Sequence, residues 1–201
     1  MDEQRIVDWE TLYREQDVEK MPWFTPELDP DFAEALKSLK IHGHVLDLGT
    51  GPGTQAIALA ELGFDVVASD ISESAVRKAE ARAKEKGVAI RFVKDDILAT
   101  RLQGPFDIIF DRGIFHVFPP EKRNAYVQSV GGLLKKGGSL MLKCFSDKEP
   151  PGEGPYRISE EEIRRSFVPT FQILTIRAGF FKGVRQPNPH ALFCILGKNV
   201  K

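Results

Sequence analysis

The sequence predicts a doubly wound α/β fold, in which helices cover both faces of a mainly parallel sheet. Short β-rich runs alternate with helical patterns through most of the chain, and this alternation is typical of parallel strands joined by crossover helices. The last two strand-like runs, TFQILTIRA and HALFCILGK, have no room for such a helix between them and predict an antiparallel hairpin at the sheet edge. A chain of 201 residues is long enough for one domain with a buried core.

Two helices are predicted ahead of the sheet, over Glu3–Arg14 and Asp31–Leu39. The Pro-punctuated stretch KMPWFTPELDP joins them. We therefore expect a single domain over residues 1–201, in which residues 1–40 form an N-terminal helical segment and residues 41–201 form the sheet-containing core.

Five runs in the core are predicted to be parallel strands. The first, the fourth and the fifth are almost entirely apolar, as strands buried on both faces usually are. The five runs are His44–Leu48, Asp65–Ser69, Ala89–Val93, Phe106–Phe110 and Ser139–Phe145.

Capping residues place the ends of the helices between these strands. Ser72 can cap one helix and Gly87 can end it. Pro120 can open another helix, which runs towards Gly137. The sequence SEEE from Ser159 is a capping-box pattern that predicts a short helix before the final hairpin.

The composition is typical of a soluble globular protein, since the chain is 42% apolar and 28% charged with a formal net charge of −1. Proteins that bind nucleic acids usually have a basic surplus, so we expect no nucleic-acid partner. The longest apolar runs are too short to cross a membrane. The polar, acidic N-terminus MDEQRIVDWE does not have the pattern of a signal peptide.

The cysteines and histidines do not predict a metal site. Cys144 and Cys194 lie in the apolar runs LMLKCF and LFCIL, so we expect two buried, reduced thiols and a cytoplasmic protein. His42, His44 and His190 have no metal-ligand spacing to one another or to the cysteines.

The stretch HVLDLGTGPGTQAIALAELGFDVVASD predicts a ligand-binding loop. Gly49, Gly51 and Gly53 lie where the first strand turns into a helix that begins near Thr54. Glycines there allow positive φ and close approach of a ligand to the main chain, and the helix adds free N–H groups at its positive end. Asp70 ends the second strand and can accept hydrogen bonds from a ribose diol. We therefore expect a nucleoside-bearing ligand at this edge of the sheet.

Two nucleoside cofactors compete for this loop. The dinucleotide pattern G-x-G-x-x-G/A fails at its sixth position, which is Thr54, and the third glycine is Gly53 instead. Asp47 places a negative charge against the loop, which is unfavourable beside a pyrophosphate and favourable beside a sulfonium or ammonium group. These residues favour S-adenosylmethionine, with an NAD-dependent oxidoreductase as the alternative.

Five segments resemble, in order, the successive motifs of class I S-adenosylmethionine-dependent methyltransferases. They are VLDLGTGPGTQAIALA, VVASDIS, FVKDDIL, FDIIFDRGIFHVF and LLKKGGSLMLKCFS. The segments WETLYREQDVEKMPWF and GEGPYRISEEEI further resemble the branch that contains thiopurine, thiol and halide methyltransferases and tellurite-resistance enzymes. The resemblance implies a Rossmann-like sheet of order 3-2-1-4-5-7-6, an N-terminal helical lid, and S-adenosyl-L-homocysteine as the cofactor product.

The resemblance also implies which residues bind the methionine part of the cofactor. Gly49, Thr50 and Gly51 would contact it, while Asp47 and Gly53 would shape the loop.

At the adenosine end, the resemblance implies that Asp70 binds the ribose and that Ile71 lies beside the adenine. Asp96 would accept a hydrogen bond from the exocyclic amino group, and the amide of Ile97 would meet a ring nitrogen. The alternative interpretation of Asp96 and its neighbour Asp95 is a solvated turn or a helix cap.

In the family, the segment after the fourth strand lies beside the transferable methyl group, with its backbone carbonyls facing the cofactor. Here the segment contains Asp111, Arg112 and Gly113, so the resemblance implies that Asp111 and Arg112 belong to the cofactor-binding residues. It lacks the Asn/Asp-Pro-Pro-aromatic box of enzymes that methylate nucleic-acid bases. His116 follows, either as a general base near neutral pH or as a histidine that packs against a helix. If the acceptor atom is oxygen or nitrogen, Asp111 and His116 are the candidate catalytic bases.

The aromatic residues of the N-terminal segment have two interpretations. Trp9 and Tyr13 are four residues apart, and Trp23 precedes Phe24. Such residues often belong to a core, but the resemblance implies that Trp9, Tyr13 and Trp23 close over the cofactor as a lid. Phe24 stays unassigned. The stretch SDKEPPGEGPY before Arg157 is either a substrate loop, with Arg157 as its anchor, or a solvated connection.

These residues predict methyl transfer to a small molecule. A soft sulfur, halide or metalloid nucleophile is preferred because it needs little help from a base. The alternatives are O- or N-methylation of a small metabolite and a non-catalytic module that binds S-adenosylmethionine. We expect a monomer or a homodimer.

Overall fold

The computed structural model describes residues 7–39, 43–168 and 170–200 of the chain. The strands in these ranges are β1 (His44–Leu48), β2 (Asp65–Asp70), β3 (Arg91–Lys94), β4 (Phe106–Arg112), β5 (Leu134–Phe145), β6 (Phe171–Phe180) and β7 (His190–Lys198). The α-helices are α1 (Trp9–Glu15), α2 (Pro30–Leu39), α3 (Thr54–Glu61), α4 (Glu73–Lys86), α5 (Pro120–Leu133) and α6 (Glu160–Phe167). Short 3-10 helices cover Val18–Lys20, Ile97–Ala99 and Phe115–Val117.

The strands form one sheet of order β3-β2-β1-β4-β5-β7-β6. β1 pairs in parallel with β2 and β4, and β2/β3 and β4/β5 are also parallel pairs. β7 pairs antiparallel with both β5 and β6. The predicted doubly wound sheet with an antiparallel C-terminal hairpin is therefore confirmed. The strand order reverses between β1 and β4, which is where open α/β sheets bind ligands.

Apolar side chains cover both faces of the sheet. On one face, α5 and α6 bury Tyr126 and Phe167 completely. On the other face, the ring of Phe32 in α2 packs 5.4 Å from that of Phe110 and 5.6 Å from that of Phe193. Burial of each such side chain stabilises the folded state by about 1.5–3 kcal/mol. The two apolar layers therefore fix the positions of β4 and β5.

The predicted helix caps are confirmed. The Ser72 hydroxyl accepts a hydrogen bond from the Ala75 amide at 3.1 Å, and Gly87 ends α4 with φ of +68°. The Ser159 hydroxyl accepts from the Glu162 amide at 3.1 Å.

The N-terminal helix is shorter than the sequence predicts. It begins at Trp9 because the Asp8 side chain accepts a hydrogen bond from the Thr11 amide at 3.1 Å and caps the helix there. The predicted start at Glu3 lies outside the described residues, as do the predicted boundary at residues 40–41 and His42.

Two strands begin at different residues from those predicted. α5 ends at Leu133 because Leu134 already begins β5, ahead of the predicted start at Ser139. β3 begins at Arg91 rather than at Ala89.

Cys144 and Cys194 are buried and free, as predicted, and burial raises the pKa of the Cys194 thiol to about 12. Across the described ranges no helix is long and apolar enough to span a membrane. In the same ranges, no three His, Cys, Asp or Glu side chains come together in a group that could hold a metal ion.

Gly53 is required where α3 begins against α4, and Gly63 provides a matched control at the other end of α3. Both have positive φ, +79° and +89°, but only at Gly53 would a Cβ clash, at 2.8 Å from the Cβ of Ala79. We expect Gly63→Ala to cost about 1 kcal/mol through its backbone conformation. Gly53→Ala should cost a further 1–3 kcal/mol or so, because the added methyl group forces α3 and α4 apart.

Urea unfolding of the two variants and of the wild type measures this difference. Equal losses for both variants would contradict a close contact between α3 and α4 at this position.

Candidate active site

The glycine loop between β1 and α3 is held from below by two buried aspartates. The Gly51 amide donates to Asp70 Oδ2 at 2.9 Å, and the Thr50 hydroxyl donates to Asp47 Oδ2 at 2.6 Å. Gly49, Gly51 and Gly53 all have positive φ, between +52° and +79°. The loop therefore has the conformation that its glycines predict, and its shape is fixed by side chains beneath it.

The glycine loop is packed closely by the N-terminal segment and by the segment after β4. A Cβ on Gly51 would lie 2.6 Å from the hydroxyl of Tyr13, and a Cβ on Gly49 would lie 2.1 Å from Ile114 Cδ1. Any larger residue at either position would therefore displace Tyr13 or Ile114 from the loop.

Burial raises the pKa of both aspartates under the loop. The pKa of Asp47 rises to about 6, although the hydrogen bond from Thr50 lowers it. The pKa of Asp70 also rises through burial, against the amides of Ser72 and Gly51 that favour its ionised form. Each oxygen of Asp70 accepts one main-chain N–H, from Ser72 at 2.9 Å and from Gly51. Because each carboxylate oxygen can accept two hydrogen bonds, Asp70 can still accept hydrogen bonds from the hydroxyls of a ribose diol.

The ends of β2 and β3 meet beside Asp70, because the Asp95 amide donates to the Asp70 carbonyl at 2.9 Å. Ile71 is 49% exposed there, an unusual position for a large apolar side chain and one suited to a flat apolar ligand surface. Asp96 is exposed and caps the 3-10 helix that begins at the buried Ile97. The capping interpretation of Asp96 is therefore realised, and its carboxylate still faces outwards beside Ile71.

The aromatic residues of the N-terminal segment gather over the glycine loop. The ring of Trp9 lies 6.5 Å from that of Tyr13 and 5.9 Å from that of Trp23. Tyr13 is 5% exposed, and burial together with the charge of Asp70 raises the pKa of its hydroxyl. The structure brings together all three residues of the expected lid, and Phe24 packs beside them.

Glu10 fastens this segment to the N-terminus of α4. Its carboxylate accepts hydrogen bonds from the Ser72 hydroxyl at 2.9 Å, the Ser74 amide at 3.1 Å and the Ser74 hydroxyl at 2.5 Å. These bonds, from Ser74 first, lower the pKa of Glu10 to about 2. Sequence reasoning missed Glu10 because its partners lie more than sixty positions away in the chain and no local pattern marks the pairing.

Asp111, a candidate base, is fully enclosed by donors. Its carboxylate is 0% exposed and accepts the amides of Gly113, Ile114 and Phe115 at 2.6–2.9 Å and the Tyr126 hydroxyl at 2.5 Å. Burial raises its pKa to about 6. This geometry shapes the turn after β4 and uses every acceptor position of the carboxylate, which disfavours the role as a base that the sequence analysis kept for an oxygen or nitrogen acceptor.

His116, the other candidate base, is buried with its lone pair in use. Its Nδ1 accepts the Phe145 amide at 2.8 Å, so the ring proton is on Nε2, which bonds the Gly113 backbone. Burial lowers the pKa of His116 to about 3. Its ring packs 4.7 Å from Phe145 and 5.6 Å from Phe181. Of the two interpretations left open by the sequence, the geometry favours the packing role.

The Arg112 side chain joins the N-terminal segment to the β6–β7 loop. Its guanidinium bonds Asp29 and the main-chain carbonyls of Trp23 and Lys182, and it lies 5.3 Å from the ring centroid of Phe181. The contact that the resemblance implies for Arg112 is with the cofactor and through the backbone, so it stays a prediction.

Arg157 holds the loop between β5 and α6 in shape. Its guanidinium donates to the carbonyls of Pro150, Gly152 and Pro155 at 2.8–3.2 Å. The side chain is therefore an anchor for its own loop, which lies at the same edge of the sheet as the glycine loop.

Comparison with known proteins finds one matching family model and several similar relatives. The family model described as thiopurine S-methyltransferase matches residues 5–185. A 2-heptyl-1-hydroxyquinolin-4(1H)-one methyltransferase of Mycobacteroides abscessus is 33% identical over 164 residues, which are 78% of this chain and 72% of the relative. Thiocyanate methyltransferase 1 of Arabidopsis thaliana is 31% identical over 193 residues, 94% of this chain and 80% of the relative.

Solved structures share the fold. A structure from work on the conversion of a disulfide bond into a thioacetal group during echinomycin biosynthesis superposes with a TM-score of 0.85 at 25% identity, covering 96% of this chain and 92% of that one.

Removing the carboxylate of Glu10 should release the N-terminal segment. Trp9 and Trp23 are the two tryptophans of the chain, so tryptophan emission reports the state of this segment. We expect Glu10→Ala to shift the emission to the red and to speed proteolysis within residues 7–24. The matched control Glu15→Ala, at an exposed residue that pairs with Arg14, should change neither.

The pH dependence of docking follows from the lowered pKa of Glu10. A depressed folded-state pKa gives stability that is complete above the ordinary value, 4.5, weakens below it and is lost as pH falls through about 2. Wild-type emission that shifts to the red between pH 7 and pH 5 or so would contradict this docking, because Glu10 stays ionised there.

The buried His116 should make folding sensitive to acid. In the unfolded chain it takes up a proton near its ordinary pKa, 6.5, whereas the folded chain keeps it neutral down to about 3. Stability from this group is therefore lost as pH falls, by about 1.4 kcal/mol per pH unit below 6.5. Asp47 and Asp111, whose pKa values are raised to about 6, have the opposite effect on the free energy of unfolding between about pH 6 and pH 4. A variant is therefore needed to isolate the contribution of His116.

His116→Asn keeps an acceptor for the Phe145 amide and removes the titration. We expect the free energy of unfolding of the wild type to fall relative to that of the variant by about 2 kcal/mol between pH 7 and pH 5. Urea unfolding at both pH values measures this, with any constant offset assigned to the smaller side chain. Parallel pH curves would contradict a neutral, buried His116.

Proposed function

The chain belongs to the thiopurine S-methyltransferase family, and from this premise we propose that it transfers a methyl group from S-adenosylmethionine to the sulfur atom of a small thiol or a comparable soft anion. The resemblance read from the motifs is confirmed by the family model and by the relatives. A small-molecule methyltransferase that uses S-adenosylmethionine is thereby shown, and the dehydrogenase alternative is set aside. The acceptor atom is the proposed part.

The bound cofactor supplies an electrophilic methyl group on a sulfonium. We propose that the glycine loop of Gly49, Thr50 and Gly51 holds the methionine part, with Asp47 and Gly53 fixing the loop from below and behind. The buried Asp47 carboxylate suits a neighbouring cation, and the positive φ of the glycines lets main-chain amides face the ligand.

At the adenosine end we propose that Asp70 binds the ribose hydroxyls and that Ile71, Asp96 and the Ile97 amide surround the adenine. The unused acceptor capacity of Asp70 and the exposure of Ile71 support this placement. The aromatic cluster of Trp9, Tyr13 and Trp23 then covers the cofactor and excludes water.

The state of the candidate bases is the observation that carries the acceptor proposal. Asp111 is saturated by donors, and the lone pair of His116 is taken by the Phe145 amide. We therefore assign Asp111 and His116 to shaping the wall beside the methyl group rather than to proton transfer. An acceptor in such a site must arrive already ionised, which a thiol of low pKa or a thiocyanate-like anion does near neutral pH.

A second candidate acceptor is an acidic hydroxyl. The relative from Mycobacteroides abscessus, 33% identical to this chain, is named for a 1-hydroxyquinolone, and this name supports a hydroxylated ring as the second candidate. The requirement for an ionised acceptor is common to both candidates.

We further propose one domain over residues 1–201, with residues 1–40 as a lid, in a monomer or homodimer located in the cytoplasm. The buried, free Cys144 and Cys194 support a reducing compartment. The net charge of −1 supports the absence of a nucleic-acid partner.

The acceptor is tested with a matched pair of compounds, 4-nitrothiophenol and 4-nitrophenol, and labelled S-adenosylmethionine. We expect methyl transfer to 4-nitrothiophenol to be faster than methyl transfer to 4-nitrophenol, because a thiolate is a softer nucleophile than a phenolate and reacts without a base. The pH midpoint of kcat/KM should move with the pKa of each thiol when 4-nitrothiophenol is replaced by 2-mercaptoethanol.

His116→Asn provides the control for a hidden base. It should retain kcat/KM for 2-mercaptoethanol, which is mostly protonated at neutral pH, to within about tenfold, whereas loss of a general base lowers the rate by about 10²–10⁴-fold. A pH midpoint that is the same for every thiol, or faster transfer to the phenol, would overturn the proposal of an ionised sulfur acceptor.

A further inference from the structure

Arg112 binds three acceptors that come from distant parts of the chain around the site. Its Nε donates to Asp29 Oδ2 at 2.9 Å, one terminal nitrogen donates to the Trp23 carbonyl at 3.1 Å, and the other donates to the Lys182 carbonyl at 2.5 Å. The side chain is 9% exposed, and its guanidinium lies over Phe181. Trp23 belongs to the N-terminal segment over the glycine loop, and Lys182 belongs to the β6–β7 loop, residues 181–189.

Asp29 is the fixed end of this connection. It is 0% exposed and accepts Lys143 Nζ at 2.6 and 2.9 Å as well as Arg112. Burial acts to raise its pKa, but the charges of Lys143 and Arg112 hold that pKa below the ordinary value. The Asp29 amide donates to Gln55 Oε1 at 2.8 Å, in the first turn of α3 behind the glycine loop. The anchor is therefore attached directly to the helix that follows the cofactor loop.

The β6–β7 loop also touches the N-terminal segment without Arg112. The Arg185 amide donates to the Pro22 carbonyl at 3.2 Å, and a Cβ on Gly183 would lie 2.5 Å from that same oxygen. On its other side, this loop reaches the β5–α6 loop, because Glu149 accepts the Arg185 guanidinium at 3.0 Å and the His190 amide at 2.8 Å. The loop thus lies between the lid and the loop predicted to face the acceptor.

A purely stabilising role would not require these carbonyl contacts. Lys143 bonds both oxygens of Asp29 and one of Asp31, so the buried carboxylate has a cation without Arg112. Two of the three acceptors bound by Arg112 are main-chain oxygens, one in the N-terminal segment and one in the β6–β7 loop. A guanidinium can bind three acceptors at once in a fixed plane, which a lysine ammonium on a flexible stem does not reproduce.

We propose that Arg112 is a positioning residue that couples closure of the N-terminal segment over the cofactor to placement of the β6–β7 loop beside the acceptor. This inference rests on the proposed function. When the cofactor binds, the N-terminal segment closes and the Trp23 carbonyl takes a fixed position. Arg112, which bonds both carbonyls, then fixes the Lys182 carbonyl, so the β6–β7 loop is in place before the acceptor binds. Because coupling between two ligands is reciprocal, the acceptor in turn tightens cofactor binding.

The test compares Arg112→Lys with the matched control Arg177→Lys. Arg112→Lys keeps a cation near Asp29 but cannot bridge both carbonyls. Arg177 belongs to the same charge cluster, pairing with Asp31 at 2.7 Å and Glu34 at 2.8 Å, yet among the described residues no bond of its side chain to residues 7–24 or to the β6–β7 loop is found.

Hydrogen exchange with and without S-adenosylhomocysteine gives the first readout. In the wild type and in Arg177→Lys, the product should slow exchange in residues 17–24 and also in residues 181–189. In Arg112→Lys, protection of residues 181–189 should be lost while some protection of residues 17–24 remains.

Calorimetric titration of S-adenosylhomocysteine, with and without saturating 4-nitrothiophenol, gives the second readout. We expect the thiol to tighten product binding by about fivefold or more in the wild type and in Arg177→Lys, and by less than about twofold in Arg112→Lys. Gly183→Ala, which forces the loop away from Pro22 without touching the charge cluster, should weaken the coupling in the same way and serves if Arg112→Lys does not fold.

Equal protection and equal coupling in the wild type, Arg112→Lys and Gly183→Ala would overturn the inference. So would a wild-type protein that binds S-adenosylhomocysteine without any change in residues 181–189. Failure of the wild type to bind S-adenosylhomocysteine at all would instead overturn the proposed function, so the two outcomes are distinguishable.

Discussion

The site depends on one constraint, which is that a buried carboxylate must be matched by donors or cations. Removing an ionised carboxylate from water costs several kcal/mol, and four aspartates around the site are buried, three in β1, β2 and β4 and one directly before α2. Each is matched in the structure by main-chain amides, hydroxyls or cationic side chains. The four are Asp29, Asp47, Asp70 and Asp111. Their matching donors determine where the surrounding loops run.

The kind of donor decides what each aspartate does for the site. Main-chain amides around Asp70 and Asp111 lock a short loop into a single shape, because the donors belong to the loop itself. The cations around Asp29 are side chains from other elements, so that aspartate joins distant parts of the chain. Glu10 differs from all four because it lies at the surface, where water can replace its partners and docking can be reversible. The site therefore combines a loop fixed by main-chain donors with an N-terminal segment that, under the proposed function, opens and closes over the cofactor.

The sequence predicts the glycine loop and the strands beneath it well, and it predicts poorly the contacts that hold the N-terminal segment in place. The reason is physical. Strand and helix types, the glycine loop and the caps at Ser72 and Ser159 depend on neighbours within a few residues, and the sheet order follows from the family motifs. The pairing of Glu10 with Ser74 and that of Asp29 with Lys143 join residues 64 and 114 positions apart, and no local pattern encodes such pairs. The role of a titratable residue is equally hidden, because it depends on burial and donors that only packing supplies.

The histidine that follows β4 shows how packing selects the chemistry. A neutral imidazole between Phe145 and Phe181 presents no charge to the site at physiological pH, since its pKa is lowered to about 3. The reaction of a sulfonium with an anionic nucleophile destroys charge, so an uncharged aromatic wall disfavours the separated ions more than the transition state. A charged histidine there would attract the nucleophile and lower its reactivity. Burial of His116 thus removes a base from the site. It also provides uncharged surroundings in which an ionised acceptor, as proposed, reacts without a base.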